Sequence, residues 1–155
     1  MTRYMTDTEP RTPRVHEWSH PHVQVRPSTI EGKGLFACAL MRKGEQLTRA
    51  SSEYVIMSHA ELDDYVQKVG SWDSVSIGGG RNKVWLVDRE AGLAHFANHS
   101  CNPNAEALDD SLFAKRDMAP GEEITVDYGP LSRRGWSMRC ECGSPNCRGI
   151  VHGVR

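Results

Sequence analysis

Cys140, Cys142 and Cys147 form a C-x-C-x4-C arrangement inside the turn-rich run ECGSPNCRGI. Thiolates this close repel one another unless a cation holds them. A closed structural zinc site takes four ligands, commonly all cysteine. The run supplies three, so a fourth must come from elsewhere, and Cys101, His152 and His99 are the candidates. Such a cluster speaks for a structural metal and names no reaction. Cys38 sits in the apolar run from Leu35 to Met41 and reads as a buried core thiol. Cys101 beside His99 also has the residue types of a thiol nucleophile and its base, although a zinc role would consume the thiolate. His16, His20 and His22 cluster near the start of the chain, where a solvated tail accounts for them better than a metal site does.

Short strands must position these groups. Val23 and Val25 alternate with Gln24 and Arg26, the period of a half-buried strand. Leu35 to Cys38, Gln46 to Thr48 and Val84 to Val87 are further strand candidates. Ala105 to Leu108 and Leu112 to Ala114 flank Asp109-Asp110 as a hairpin. Pro120-Gly121 turns into a strand from Glu123 to Val126. One helix is marked by the capping-box spacing of Ser58 and Glu61, by Leu62, Tyr65, Val66 and Val69 at helical intervals, and by Gly70 as its stop. Gly78, Gly79 and Gly80 lack the Gly-Lys-Ser/Thr of a phosphate loop and read as a flexible loop.

The chain has 155 residues, enough for one domain with a substantial core. Fourteen glycines and eight prolines favour a looped, β-rich fold. Nineteen basic residues against 20 acidic ones leave a net charge of −1, which gives no electrostatic ground for direct nucleic-acid or membrane-surface binding. No apolar run approaches the length of a membrane span, and the opening MTRYMTDTEPRTPRV has no apolar core of a secretion signal. The expectation is a soluble intracellular protein whose five cysteines are reduced or bind metal.

Three segments, in order, resemble the SET-domain methyltransferases. Glu31-Gly32-Lys33-Gly34-Leu35-Phe36-Ala37 is similar to the family's Gly-x-Gly opening. Phe96-Ala97-Asn98-His99-Ser100-Cys101-Asn102-Pro103-Asn104 resembles its Asn-His-Ser-Cys-x-Pro-Asn signature. Gly121-Glu122-Glu123-Ile124-Thr125-Val126-Asp127-Tyr128 resembles its Gly-Glu-Glu-Leu-Thr-x-Asp-Tyr strand. The cysteine-rich run with its Arg148-Gly149 looks like the post-SET element that closes many of these enzymes. The resemblance covers roughly residues 22 to 151.

The resemblance implies a mainly β chain with one or two helices, a SET-domain fold of small curled sheets with a C-terminal pseudoknot and a post-SET zinc tail. It divides the chain into a flexible tail (1–21), a SET domain (22–130) and a post-SET segment (131–155). It implies S-adenosylmethionine as cofactor and a protein lysine, on a histone or another cellular protein, as substrate. Lys33, Gly34 and Leu35 would contact the methionine end of the cofactor, with His95, Asn98, His99 and Ile150 around the rest and Trp136 able to stack on the adenine. Glycine at 34 would let the backbone approach that ligand. Tyr128 would be the catalytic tyrosine. Cys101 would join Cys140, Cys142 and Cys147 around structural Zn2+. His95 stands where the family often has arginine, and Ala50 stands near the place of a second tyrosine, with Tyr54 out of step. These departures keep a second reading open, a non-catalytic SET-like module that binds the cofactor or a protein partner. Val126, smaller than the aromatic residue common there, leans toward more than one methyl group added. The acidic Glu106, Asp109 and Asp110 suit a basic peptide and equally a solvated hairpin.

Overall fold

The computed structural model describes residues 18–49, 56–58, 60, 64, 67, 74–76, 83–86, 93–108, 111–132 and 134–154. Among the described residues, thirteen strands run in the order β1 (Trp18–Ser19), β2 (Val23–Pro27), β3 (Lys33–Ala37), β4 (Gln46–Arg49), β5 (Ile56–Ser58), β6 (Ser74–Ser76), β7 (Lys83–Leu86), β8 (Asn98–His99), β9 (Ala105–Leu108), β10 (Ser111–Ala114), β11 (Glu123–Val126), β12 (Ser137–Arg139) and β13 (Ile150–His152). A 3-10 turn, Ala94–Phe96, leads into β8. The strands form four small sheets, ordered β1-β4-β10-β9, β2-β3-β11-β8, β5-β7-β6 and β12-β13.

The second sheet positions the site. β2 shows the alternation that its sequence dictates, with Val23 buried and Gln24 and Arg26 exposed. β3 is central, buried through Gly34, Leu35 and Ala37, with Leu35 opposite Val25 on one side and Ile124 on the other. β11 carries Ile124, Thr125 and Val126 inward, as a strand covered on both faces requires. β8 runs parallel to β11, placing Asn98 beside Thr125 and His99 beside Val126. A bridge between Met41 and Met118 ties the chain after β3 to the chain before β11. Leu35, Met41, Leu47, Met118 and Ile124 are wholly enclosed in the main core. A second, smaller cluster gathers Cys101, Cys140 and Val151, with Trp136, Met138, Cys142 and Cys147 against it.

The expected strands at Val23, Gln46, Ala105, Leu112 and Glu123 are present, and β9 and β10 form the expected hairpin, Leu108 opposite Ser111. The strand expected from Val84 is β7, which starts one residue earlier. The helix expected over 58–70 falls largely outside the described residues, as does the Gly78–Gly80 loop. Ser58 ends β5; Ala60, Asp64 and Gln67 are helical and exposed. Among the described residues the 3-10 turn is the one helical element with defined bounds, and the fold is mainly β, as expected. Cys38 corrects its reading as a core thiol: it is partly exposed, and its sulfur lies 3.3 Å from the Arg26 guanidinium. No helix among the described residues is long and apolar enough to cross a membrane.

Candidate active site and cysteine cluster

One amide joins the three segments singled out in the sequence. The Asn98 side-chain nitrogen lies 3.1 Å from the Glu31 carbonyl, 3.2 Å from the Lys33 carbonyl, 3.1 Å from Ser28 Oγ and 2.9 Å from Glu123 Oε1. Asn98 belongs to β8, Glu31 and Lys33 to the approach and start of β3, and Glu123 to β11. Two N–H bonds thus face four oxygens, a strongly electronegative pocket. Ser28 Oγ adds its own proton to Glu123, at 2.8 and 2.9 Å from the two carboxylate oxygens. Gly34 owes its identity to the same carboxylate. A β-carbon there would fall 2.8 Å from the Glu123 carboxyl carbon and 3.1 Å from Ser28 Cβ. Close approach by protein side chains thus favours glycine here, beside the ligand approach expected from sequence.

A second amide locks β11 in place. Asn104 donates to the Glu123 carbonyl at 2.8 Å and accepts from the Thr125 N–H at 2.9 Å, so a buried side chain satisfies two backbone groups of β11.

Tyr128 follows β11. Its hydroxyl donates to the Ala97 carbonyl at 2.7 Å, and its backbone N–H donates to His99 Nδ1 at 3.0 Å. Burial, then the negative charges of Glu31 and Glu123, push the phenol up to about 12. The same field that disfavours a phenolate favours a cation. His99 is 4% exposed. Burial pulls its imidazole below the ordinary value, against the raising influence of Asp127. With Nδ1 occupied as an acceptor, the neutral ring carries its proton on Nε2, which lies 3.4 Å from Cys101 Sγ. The ring therefore links the tyrosine backbone to the cysteine cluster and faces inward.

The sulfurs of Cys101, Cys140, Cys142 and Cys147 all lie within 4.8 Å of one another. Cys140 is 3.8 Å from both Cys101 and Cys147. Zinc–sulfur bonds of about 2.3 Å put tetrahedral corners about 3.8 Å apart, so the donor set and its spacing fit zinc. Cys101, 39 positions before Cys140, is the fourth member; His152 is exposed on β13 and His99 stands behind Cys101. Arg148 donates to Cys101 Sγ from its backbone N (3.4 Å) and from Nε (3.3 Å), while Nη2 reaches Asp127 Oδ1 at 2.7 Å. Asn146 donates to the Cys101 carbonyl at 3.0 Å. These contacts bind the tail to the residue before Tyr128 and engage the buried Cys101 sulfur on several sides.

The other expected residues are less uniform. Lys33 presents its carbonyl to Asn98. Leu35 is enclosed in the core, so its side chain supports the segment from behind. His95 sits on the 3-10 turn with its ring 4.4 Å from that of Phe96. Ile150 is 54% exposed at the start of β13. Trp136 packs on the cysteine cluster, which favours its core reading over stacking on a ligand. Val126 is buried in the main core, and Ala50 and Tyr54 lie outside the described residues. Sequence reasoning missed Ser28, Asn104 and the roles of Glu123 and Arg148. The last three lay within or beside quoted segments, while Ser28 lay three residues before the first of them with no pattern to mark it.

A family model described as SET domain matches residues 32–129. A putative histone-lysine N-methyltransferase 1 of Plasmodium falciparum is 32% identical over 146 residues, covering 86% of this chain and 2% of its own length. Histone-lysine N-methyltransferase TRX1 of Oryza sativa subsp. japonica is 34% identical over 138 residues, covering 82% of this chain and 13% of its own length. The chain thus spans a small part of the curated relatives it matches. Among solved structures, the methyltransferase domain of human histone-lysine N-methyltransferase SETMAR has a TM-score of 0.64 at 23% identity, covering 87% of this chain and 59% of that chain, a likeness of fold.

Proposed function

The chain belongs to the SET-domain family, and on that premise we propose that it is an S-adenosylmethionine-dependent methyltransferase acting on lysine side chains of a protein, with histones as the substrate class. The observation that carries the reading is the meeting of three distant segments at Asn98, with Tyr128 beside them. The relatives named above as histone-lysine methyltransferases support the substrate class.

The cofactor, when bound, supplies a methyl group made electrophilic by a sulfonium cation. The backbone of Lys33 and Gly34, with Asn98 and the backbone of His99, would hold it. Its charge suits the oxygens gathered at Asn98 and the carboxylates of Glu31 and Glu123, the groups whose negative field the Tyr128 phenol already registers. Ile150 offers exposed apolar surface for its less polar end, and His95 lies on the turn that leads into β8. A lysine amine has a reference pKa of about 10.4 and must lose a proton to attack. Tyr128, neutral and held against Ala97, is the group that would orient the amine lone pair, and carbonyls near it would add weak C–H···O contacts to the methyl group the cofactor supplies. The contribution is chiefly positioning. Zn2+ held by Cys101, Cys140, Cys142 and Cys147 would be structural, fixing the tail that carries Ile150.

The test is incubation of zinc-loaded protein with methyl-labelled S-adenosylmethionine, histones and a cell extract. Label enters lysine in the wild type and falls by on the order of 100-fold in Tyr128→Phe, the cost of a misplaced reactant. Equal labelling by the mutant would remove Tyr128 from the mechanism.

A further inference from the structure

The oxygen-rich pocket around Asn98 does not hold itself together. Asn98 has two amide protons for four acceptors, and Glu123 brings a carboxylate into a half-buried place where its donors among these contacts are neutral. Ser28 resolves both. Its Oγ lies 2.8 and 2.9 Å from the two Glu123 oxygens, so its one hydroxyl proton is given to the carboxylate. Its lone pairs accept the Ile30 N–H at 2.9 Å and approach Asn98 Nδ2 at 3.1 Å. Its backbone N–H donates to the Gly32 carbonyl at 2.9 Å, closing a turn in which Gly32 takes a φ of +46°, the left-handed region that glycine enters without strain. The turn delivers the Glu31 and Lys33 carbonyls to Asn98. Ser28 thus fixes the loop internally, through Ile30 and Gly32, and externally, through Glu123 on β11 and Asn98 on β8. It precedes the segment that the family model matches.

We infer that Ser28 is a positioning residue that sets cofactor affinity by holding the 28–34 loop in register with β8 and β11. The inference rests on the reading of Lys33, Gly34 and Asn98 as the cofactor's contacts. Without the hydroxyl, Glu123 keeps the Asn98 amide as its donor, and that amide is drawn away from the Glu31 and Lys33 carbonyls. The loop loses the link that places its backbone, while Tyr128, held by His99 and Ala97, keeps its anchors.

The experiment is calorimetric titration of the zinc-loaded full chain with S-adenosylhomocysteine, beside methyl-transfer kinetics, for wild type, Ser28→Ala, Ser28→Thr, Glu123→Gln and the Ser28→Ala/Glu123→Gln double variant. Ser28→Ala should weaken binding about tenfold, equivalent to roughly 1.4 kcal/mol. The KM for S-adenosylmethionine should rise more than kcat falls. Ser28→Thr, which keeps the hydroxyl, should recover most of the affinity, and the double variant should bind no worse than the weaker single variant. Glu123→Gln keeps the test alive should Ser28→Ala fold poorly. Wild-type affinity in Ser28→Ala, additive losses in the double variant, or a loss that follows melting temperature alone would overturn the inference. A wild-type protein that fails to bind S-adenosylhomocysteine would overturn the cofactor reading itself.

Discussion

Tyr128 carries its phenol at a point where burial and two carboxylates act in one direction, pushing its ionisation up to about 12. The hydroxyl therefore stays protonated through the range in which a substrate lysine, with a reference value of about 10.4, loses its proton. The sign follows. Methyl transfer rises with pH from neutrality toward 10 as the neutral amine accumulates, and no opposing fall from Tyr128 appears in that window. A pH–rate profile of kcat/KM on a histone peptide checks this. A bell with a descending limb below pH 10, absent from the stability curve of the enzyme, would contradict it. His99, the neighbour that receives the Tyr128 N–H, acts at this scale as a prop: its buried neutral ring faces Tyr128 on one side and Cys101 on the other.

At the scale of elements, Gly34 of β3 lies so close to the Glu123 side chain of β11 that a methyl group there would have to displace the carboxylate. Gly34→Ala should destabilise the fold by about 1–3 kcal/mol, the usual cost of overpacking, measured by urea denaturation. Pairing it with Glu123→Ala should cost less than the sum of the two single changes, because the second change removes the obstructing carboxylate; strict additivity would place the strain elsewhere. The same elements show what was legible beforehand. β2, β3, β9, β10 and β11 carry alternation or apolar runs of four or five residues and could be read directly. β1, β8, β12 and β13 have two or three residues each, too few for any period, and exist because tertiary neighbours supply their hydrogen bonds. Ser58 had helix-capping spacing and ends β5, with Ala60 helical two residues on; a cap residue is itself extended, so the two roles are compatible. Three members of the cysteine cluster were legible from spacing, whereas Cys101 was one of three candidates for the fourth and was singled out only by the family resemblance, since no local pattern reaches across the chain.

Across the whole molecule, two small cores share one seam. The main core holds β3 and β11. The cysteine cluster holds β12, β13 and Cys101 just past β8. Arg148 stitches the seam from Cys101 to Asp127, and Val154 donates to the Gly129 carbonyl at 3.2 Å. Metal binding in such a cluster is itself folding free energy. Chelation of zinc, or Cys140→Ser, should strip hydrogen-exchange protection from β12 and β13 and leave β3 and β11 largely protected. Unchanged protection of the tail after complete zinc removal would mean that the cluster does not depend on a metal.

The central claim is methyl transfer to lysine by the site around Asn98 and Tyr128, and mass spectrometry of histones after incubation with the zinc-loaded protein and methyl-labelled S-adenosylmethionine tests it most directly. The account predicts labelled methyl groups on lysine with the wild type and their loss in Tyr128→Phe that still binds S-adenosylhomocysteine. Firm cofactor binding with no labelled lysine in histones or in a cell extract would contradict it.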